Sequence, residues 1–341
     1  MTEHMQSQPH TIIIAEAGVN HNGSLDTAIE MIHRASDAGV DYVKFQTFKA
    51  ENLVSATAPQ ARYQKENCKG DGTQLTMLRA LELNGDDFKI LADECSRCGV
   101  GFMSTPFDLS SIDLLAPFDM DFWKIPSGEI TNLPYLRRIA SKGGRVILST
   151  GMSTINEVRD AVTALAKGGI AKKDIYLLHC TTQYPTPYEY VNLRAMDSLR
   201  ELGCAGVGYS DHTQGILVPI AAVARGAEII EKHFTLDRSM PGPDHKASLT
   251  PEELSEMVLK IRQTEKLLGS GHKIVTETER PNIEVARKSI VAARHIHRGE
   301  LLTDDNLTAK RPGSGISPML WDSITDTYAV RDFMPDEQIE I

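Results

Sequence analysis

Arg145-Val146-Ile147-Leu148-Ser149-Thr150 is a short, mostly apolar run that ends in two hydroxyls. It has strand length and is too brief for an ordinary helix. Comparable runs recur from Thr11 to Gly18, Asp41 to Thr47, Gly99 to Pro106, Phe122 to Pro126, Ile175 to Thr181, Gly206 to Ser210 and Glu228 to Phe234. Helical periodicity fills the intervals. Leu25 to Ala38 sets Ala28, Ile32 and Ala35 on one face, and Pro251 to Leu268 carries Leu254, Met257, Val258 and Ile261 at helical spacing. Eight such alternations predict an α/β fold, a (β/α)8 TIM barrel over residues 11–270.

The remaining segments read differently. Residues 1–10 form a polar, loose leader, and Lys49 to Gln74, with Pro59 and Gly70, forms a long polar loop over the barrel's C-terminal mouth. A polar linker at 271–283 precedes a small domain at 284–341, which has short strand-like runs and turn signals at Arg298-Gly299 and Pro312-Gly313. So short a tail has little core of its own, which predicts packing on the barrel or on a second subunit.

The chain has 341 residues, 41% of them hydrophobic and 24% charged, a globular composition. A net charge of −10 disfavours broad, nonspecific nucleic-acid binding and leaves room for a local cationic site. No apolar run is long enough to span a membrane and no secretory signal is legible, so a cytoplasmic protein is expected. The cysteines Cys68, Cys95, Cys98, Cys180 and Cys204 are scattered, as suits a reducing compartment. Cys95 and Cys98 make a lone CxxC in a helical pattern without a nearby histidine in sequence, which argues against a metal or redox site.

Barrel enzymes work at the carboxyl ends of their strands. Here those ends carry Glu16, Lys44, Ser104-Thr105, Lys124, Ser127-Gly128-Glu129, Ser149-Thr150, His179-Cys180-Thr181-Thr182, Ser210-Asp211-His212 and Glu231-Lys232-His233. Lys44, Lys124, Ser127, Ser149 and Ser210 suit a phosphorylated anion: lysine is a point charge for phosphate and serine adds directional hydrogen bonds. His212 and His233 close adjacent strands and suit one divalent cation with open positions. His179 reads more plainly as a hydrogen-bonded inner-barrel residue. Glu16, Glu129 and, in the Pro241-Gly242-Pro243-Asp244-His245 loop, Asp244 can serve as acid, base or sugar ligand, or pair with lysine.

Larger motifs carry a resemblance. These are Ala15-Glu16-Ala17-Gly18-Val19-Asn20-His21-Asn22-Gly23, Val43-Lys44-Phe45-Gln46-Thr47, Ser104-Thr105-Pro106-Phe107, Lys124-Ile125-Pro126-Ser127-Gly128-Glu129, Leu148-Ser149-Thr150-Gly151-Met152, His179-Cys180-Thr181-Thr182-Gln183-Tyr184-Pro185, Tyr209-Ser210-Asp211-His212-Thr213 and Glu231-Lys232-His233-Phe234-Thr235. Together they resemble the sialic acid (nonulosonate) synthase family over nearly the whole chain. The tail, through Lys310-Arg311-Pro312-Gly313-Ser314-Gly315, resembles that family's SAF, or antifreeze-like, domain.

The resemblance implies condensation of phosphoenolpyruvate with an N-acetylated amino sugar. It implies manganese or magnesium on His212 and His233, and phosphoenolpyruvate on Lys44, Lys124, Ser127, Ser149, Thr182 and Ser210. Glu16 matches the catalytic carboxylate, and Glu129, Tyr184 and Asp244 match acceptor-sugar contacts. Arg311 matches an arginine delivered into the partner subunit's barrel of a domain-exchanged homodimer. The likeness is strongest to the N,N'-diacetyllegionaminate branch, whose acceptor is 2,4-diacetamido-2,4,6-trideoxymannose. Sialic acid synthases proper commonly have asparagine where Thr182 stands. The neuraminate branch, using N-acetylmannosamine, and the pseudaminate branch are the alternatives. Two further rivals are a pyruvate aldolase working through a Schiff-base lysine and a degenerate carbohydrate-binding barrel. Intact Glu16, lysines and histidines count against the latter.

Overall fold

A computed structural model of the chain describes residues 10–60, 67 and 73–341. All eight predicted strands form: β1 Ile12–Gly18, β2 Tyr42–Thr47, β3 Gly101–Pro106, β4 Phe122–Ile125, β5 Arg145–Ser149, β6 Ile175–Cys180, β7 Gly206–Asp211 and β8 Ile229–His233. They pair in parallel in the order β3-β2-β1-β8-β7-β6-β5-β4. The end strands β3 and β4 lie beside each other, which closes the sheet into a barrel.

Local chemistry sets the helix limits. Ser24 caps Leu25–Ala38 by accepting from Thr27 N at 3.2 Å, and Gly39 stops that helix in the left-handed region at φ 80°. Thr154 with Glu157, and Thr250 with Glu253, form capping boxes that start Ile155–Lys167 and Pro251–Leu268. Ala28, Ile32 and Ala35 are buried as predicted, and Met31 joins them.

Strand alternation organises the interior. Ile14, Met103, Phe122, Ile147, Leu178 and Ile229 pack as a plug inside the barrel, while Ala15, Trp123, Val146, Leu177 and Ile230 face the helices. Two positions past the plug stand Glu16, Thr105, Lys124, Ser149, Cys180 and Glu231, all walling one cavity. The same parity corrects the reading of His179. With Leu178 inward, His179 points outward, where Nε2 lies 2.9 Å from Val191 O and the ring neighbours Tyr209.

The chain divides into two compact units, one ending at Gly269 and the other spanning Ser270–Ile341. In the second unit β9 (Ser289–Ala292) pairs antiparallel with β10 (Leu307–Lys310), and Gly299, at φ 80°, makes the predicted turn. It has a small core of its own, including Ile290, Ile296, Leu307 and Phe333. Residues 1–9 of the predicted leader, Cys68, and residues 61–66 and 69–72 of the predicted loop lie outside the described residues. Within that loop Ala50–Leu53 forms a short helix, and Gln74–Arg79 forms another at its end.

The CxxC also acquires neighbours the sequence did not show. Cys95 is buried in the barrel's outer core. Cys98 Sγ lies 3.7 Å from Glu94 Oε1, and that oxygen is 2.6 Å from His33 Nε2. Arg97 pairs with the same carboxylate, so these three potential metal donors already form a polar network between two outer helices.

Candidate active site

The C-terminal mouth of the barrel holds a cavity of about 510 Å³. At its floor two lysines and two carboxylates interlock. Lys44 Nζ pairs closely with Glu16, donates to Thr105 Oγ1 at 2.9 Å, and lies 3.6 Å from Glu231 Oε2. Lys124 Nζ donates to Ser149 Oγ at 2.8 Å and lies 3.5 Å from Glu231 Oε1, which also accepts from Ser210 Oγ at 2.9 Å. Gln46 Nε2 steadies Glu16 Oε1 at 3.2 Å. All four charged side chains are buried, which alternation enforces by pointing them into the barrel.

Burial works against charge on each group, and the partners decide the outcome. Desolvation and the Glu231 charge raise the Glu16 carboxyl above the usual range, although Lys44 opposes them. Glu231 is also desolvated, yet Lys124, Lys44 and Ser210 bring it down to about 2. Burial pulls Lys44 downward, but Glu16 and Glu231 outweigh this and keep it above its usual range. Lys124 stays below its usual range because burial exceeds the help from Glu231.

Above the floor, Ser127 Oγ accepts from Gly151 N at 3.0 Å, and Thr182 also lines the cavity. A Cβ on Gly151 would come 2.9 Å from Ser127 Oγ and 2.7 Å from Thr182 Cγ2, so this wall depends on a bare backbone.

His212 and His233 meet at the same mouth, with ring centroids 5.6 Å apart. His212 Nδ1 is 2.7 Å from Thr181 O, which leaves Nε2 as its available donor to a cation. His233 Nδ1 is buried without a hydrogen-bond partner among the described residues. Desolvation lowers the pKa of both rings, so both are neutral and carry lone pairs. Two neutral imidazoles, one held by a backbone carbonyl and one with an orphaned nitrogen, fit a divalent cation. Among the described residues two other donor groups occur: His33 with Glu94 and Cys98 on the barrel's outer helices, and His295 with His297 and Asp332 within the C-terminal unit.

The Tyr184 ring lies over His212 at 4.1 Å between centroids. Asp244 lines an adjoining chamber with Tyr184 and His233, and burial together with the Glu16 charge raises its carboxyl to about 7. Glu129 follows Ser127 in a single 3-10 turn, accepts from Asn132 Nδ2 at 2.6 Å, and is not among the residues that wall either cavity. Arg311 belongs to the C-terminal unit, where Nε donates to Ala286 O at 3.0 Å.

The NeuB family model matches residues 31–273, well over half of the chain. The chain belongs to the NeuB family. Residues 287–340 match the SAF domain. This NeuB chain is 50% identical to the N,N'-diacetyllegionaminic acid synthase of Campylobacter jejuni, over 96% of this chain and 98% of that one. It is 49% identical to the protein of that name from Legionella pneumophila, over 90% of this chain and 86% of that one. Among solved structures, the N-acetylneuraminic acid synthetase of Leptospira borgpetersenii in complex with citrate superposes with a TM-score of 0.71 at 33% identity, covering 81% of this chain and 90% of that one.

In this NeuB barrel Glu231, named in the sequence reading only as part of a polar strand end, takes a central place. It sits between the two lysines, and its signal was its parity: it is two positions before His233 on the same strand. Gln46, Thr105 and Cys180 also wall the cavity. Asp211 and Lys232, of opposite parity, form a fully buried outward pair at 2.5 Å that ties the β7 end to β8, beside both histidines.

Proposed function

We propose that this chain condenses phosphoenolpyruvate with 2,4-diacetamido-2,4,6-trideoxymannose and water, giving N,N'-diacetyllegionaminic acid and phosphate. The observation that carries this reading is the meeting of two lysines, several hydroxyls and two neutral imidazoles around one cavity. The names of the Campylobacter and Legionella relatives support the choice of acceptor.

Lys44, Lys124, Ser127, Ser149, Thr182 and Ser210 hold the phosphate and carboxylate of phosphoenolpyruvate, each lysine shifting from its carboxylate partner toward the incoming anion. His212 and His233 hold the divalent cation, manganese or magnesium, which polarises the acceptor's open-chain aldehyde when bound. Tyr184, Asp244 and Arg311 orient the sugar so that carbon 3 of phosphoenolpyruvate faces that aldehyde. As the carbon–carbon bond forms, positive charge develops at carbon 2, and the carboxylates beneath favour it. Glu16 takes one proton of the water that adds there and returns it to the former aldehyde oxygen, which becomes the new hydroxyl; the tetrahedral adduct then collapses to the ketone, its remaining hydroxyl proton leaving with the phosphate.

The working form is a homodimer, in which Arg311 reaches the partner's barrel, and the compartment is the cytoplasm. Free Cys95, Cys98, Cys180 and Cys204 agree with a reducing setting, and no helix among the described residues is long and apolar enough to cross a membrane. Mixing Arg311→Ala chains with Lys124→Met chains, each inactive alone, should restore activity through mixed dimers. Verified subunit exchange without recovery would remove delivery in trans.

One observation favours a second reading. Burial lowers the Lys124 pKa, as it does for lysines that form Schiff bases. Borohydride with pyruvate would trap such a lysine and leave the proposed enzyme unlabelled. The decisive experiment is mass analysis of products from phosphoenolpyruvate and a panel of amino sugars, where a nonulosonate appears only with an acceptor the enzyme uses.

A further inference from the structure

Beside the catalytic cavity lies a second chamber of about 270 Å³. The two share Gln46, Gln74, Phe107, Tyr184 and His233, so the chamber opens where the reacting aldehyde would lie. Its remaining wall is of a different character. Phe48, Leu53, Val54, Met77, Leu78 and Leu81 supply most of it, with Asp244 at the polar edge.

These apolar residues do not belong to the barrel's main core. They form part of a separate satellite cluster built on Ala50–Leu53, Gln74–Arg79 and the chain that follows, all inserted between β2 and the helix Gly85–Cys98. A barrel needs no such insertion to close. The insertion sets an apolar wall against one flank of a mouth that is otherwise charged. Pockets that take a whole drug-sized ligand run to about 300–1,000 Å³, so this smaller chamber suits one end of a molecule whose other end occupies the larger cavity.

We propose that this chamber is a subsite for the far end of the acceptor sugar, seating its carbon-6 methyl against Leu53, Val54 and Leu78 with the carbon-4 acetamido group beside it. This rests on the synthase reading above. A methyl fits such a wall, and an acetamido group presents an apolar methyl there while its amide turns toward Gln46, Gln74 or Asp244 at the polar edge. A carbon-6 hydroxyl in the same place would leave water and meet carbon on the Leu53, Val54 and Leu78 side. The chamber is thus where the enzyme distinguishes a deoxy sugar from its hydroxylated counterpart.

The test compares two acceptors that differ by one oxygen, 2,4-diacetamido-2,4,6-trideoxymannose and 2,4-diacetamido-2,4-dideoxymannose, with the wild type and with Val54→Thr and Leu53→Gln. Wild type should prefer the deoxy sugar by at least about tenfold in kcat/KM. Each variant should narrow that ratio by about threefold or more, chiefly through the acceptor KM, while phosphoenolpyruvate binding measured by calorimetry stays unchanged. Equal wild-type efficiencies, or an unaltered ratio in both variants with native circular dichroism, would overturn the subsite and leave the synthase reading standing. No nonulosonate from any acceptor would remove the synthase reading, and the subsite with it. The wild-type comparison needs no substitution, so a variant that fails to fold does not decide the matter.

Discussion

Ile14, Phe122, Ile147, Leu178 and Ile229 pack together inside the barrel, and two residues further along the same strands Glu16, Lys124, Ser149, Cys180 and Glu231 wall a cavity. Backbone geometry is the same in both layers, since each strand presents alternate residues inward. Only the side chains differ. The lower layer gains from burial and stabilises the fold, whereas the upper layer, with Lys44 beside Lys124, keeps two lysines and two carboxylates out of water, an arrangement that by itself rarely adds stability. The barrel thus sets the polar layer directly on a rigid apolar plug, which fixes the height and direction of the side chains that the strands send into the mouth.

The largest effect should come from the histidines above both layers. On the proposed reading His212→Ala or His233→Ala is expected to reduce kcat/KM by at least about a hundredfold, because removing one of two neutral donors would weaken the hold on the cation that polarises the aldehyde. Titration calorimetry with manganese should show weakened binding while circular dichroism stays native. Near-wild-type activity that survives a chelator would break the assignment.

A matched pair then probes the layers themselves on one strand. Ile147→Ala should cost about 2–5 kcal/mol in urea unfolding and change kcat little, because it opens a void in the plug. Ser149→Ala should do the reverse, leaving stability within about 1 kcal/mol while raising the KM for phosphoenolpyruvate severalfold. If both variants lost stability equally and activity equally, the two layers would not be functionally distinct.

The smallest expected effect concerns Asp244. Its carboxyl is raised to about 7 in the folded chain, chiefly by burial and then by the Glu16 charge. A raised folded pKa means that the native state holds the proton more tightly than the unfolded state. The associated stability is therefore full below about pH 4, falls as pH rises and is lost above about 7. Asp244→Asn has no proton to lose, so its melting temperature relative to wild type should climb between pH 5 and 8 in metal-free protein. A constant difference across that range would show that Asp244 is not so perturbed.

Much of this layout is legible in the chain itself. Buried parallel strands read as apolar runs, so all eight could be found, and their polar ends marked the mouth. What the runs do not declare is parity. Glu231 was named only as part of a polar strand end and His179 was turned inward because a contiguous polar run does not say which members face the barrel, whereas Leu178 and Ile229 in the plug settle it. Contacts between distant segments were also beyond reach. His33 meets Glu94 and Cys98 only because two outer helices pack side by side, and the apolar chamber exists only once Leu53 and Met77 lie against the mouth.

The pairing of Lys44 with Glu16 and Glu231, and of Lys124 with Glu231, bears on how the cycle ends. Two unpaired cations in a buried cleft would grip inorganic phosphate and delay its departure. Here each lysine has a carboxylate waiting, so on the proposed reading the place of a departing phosphate is refilled from within, and the protein competes with its own product for the positive charge. Turnover would then be eased by a resident rival that never diffuses away.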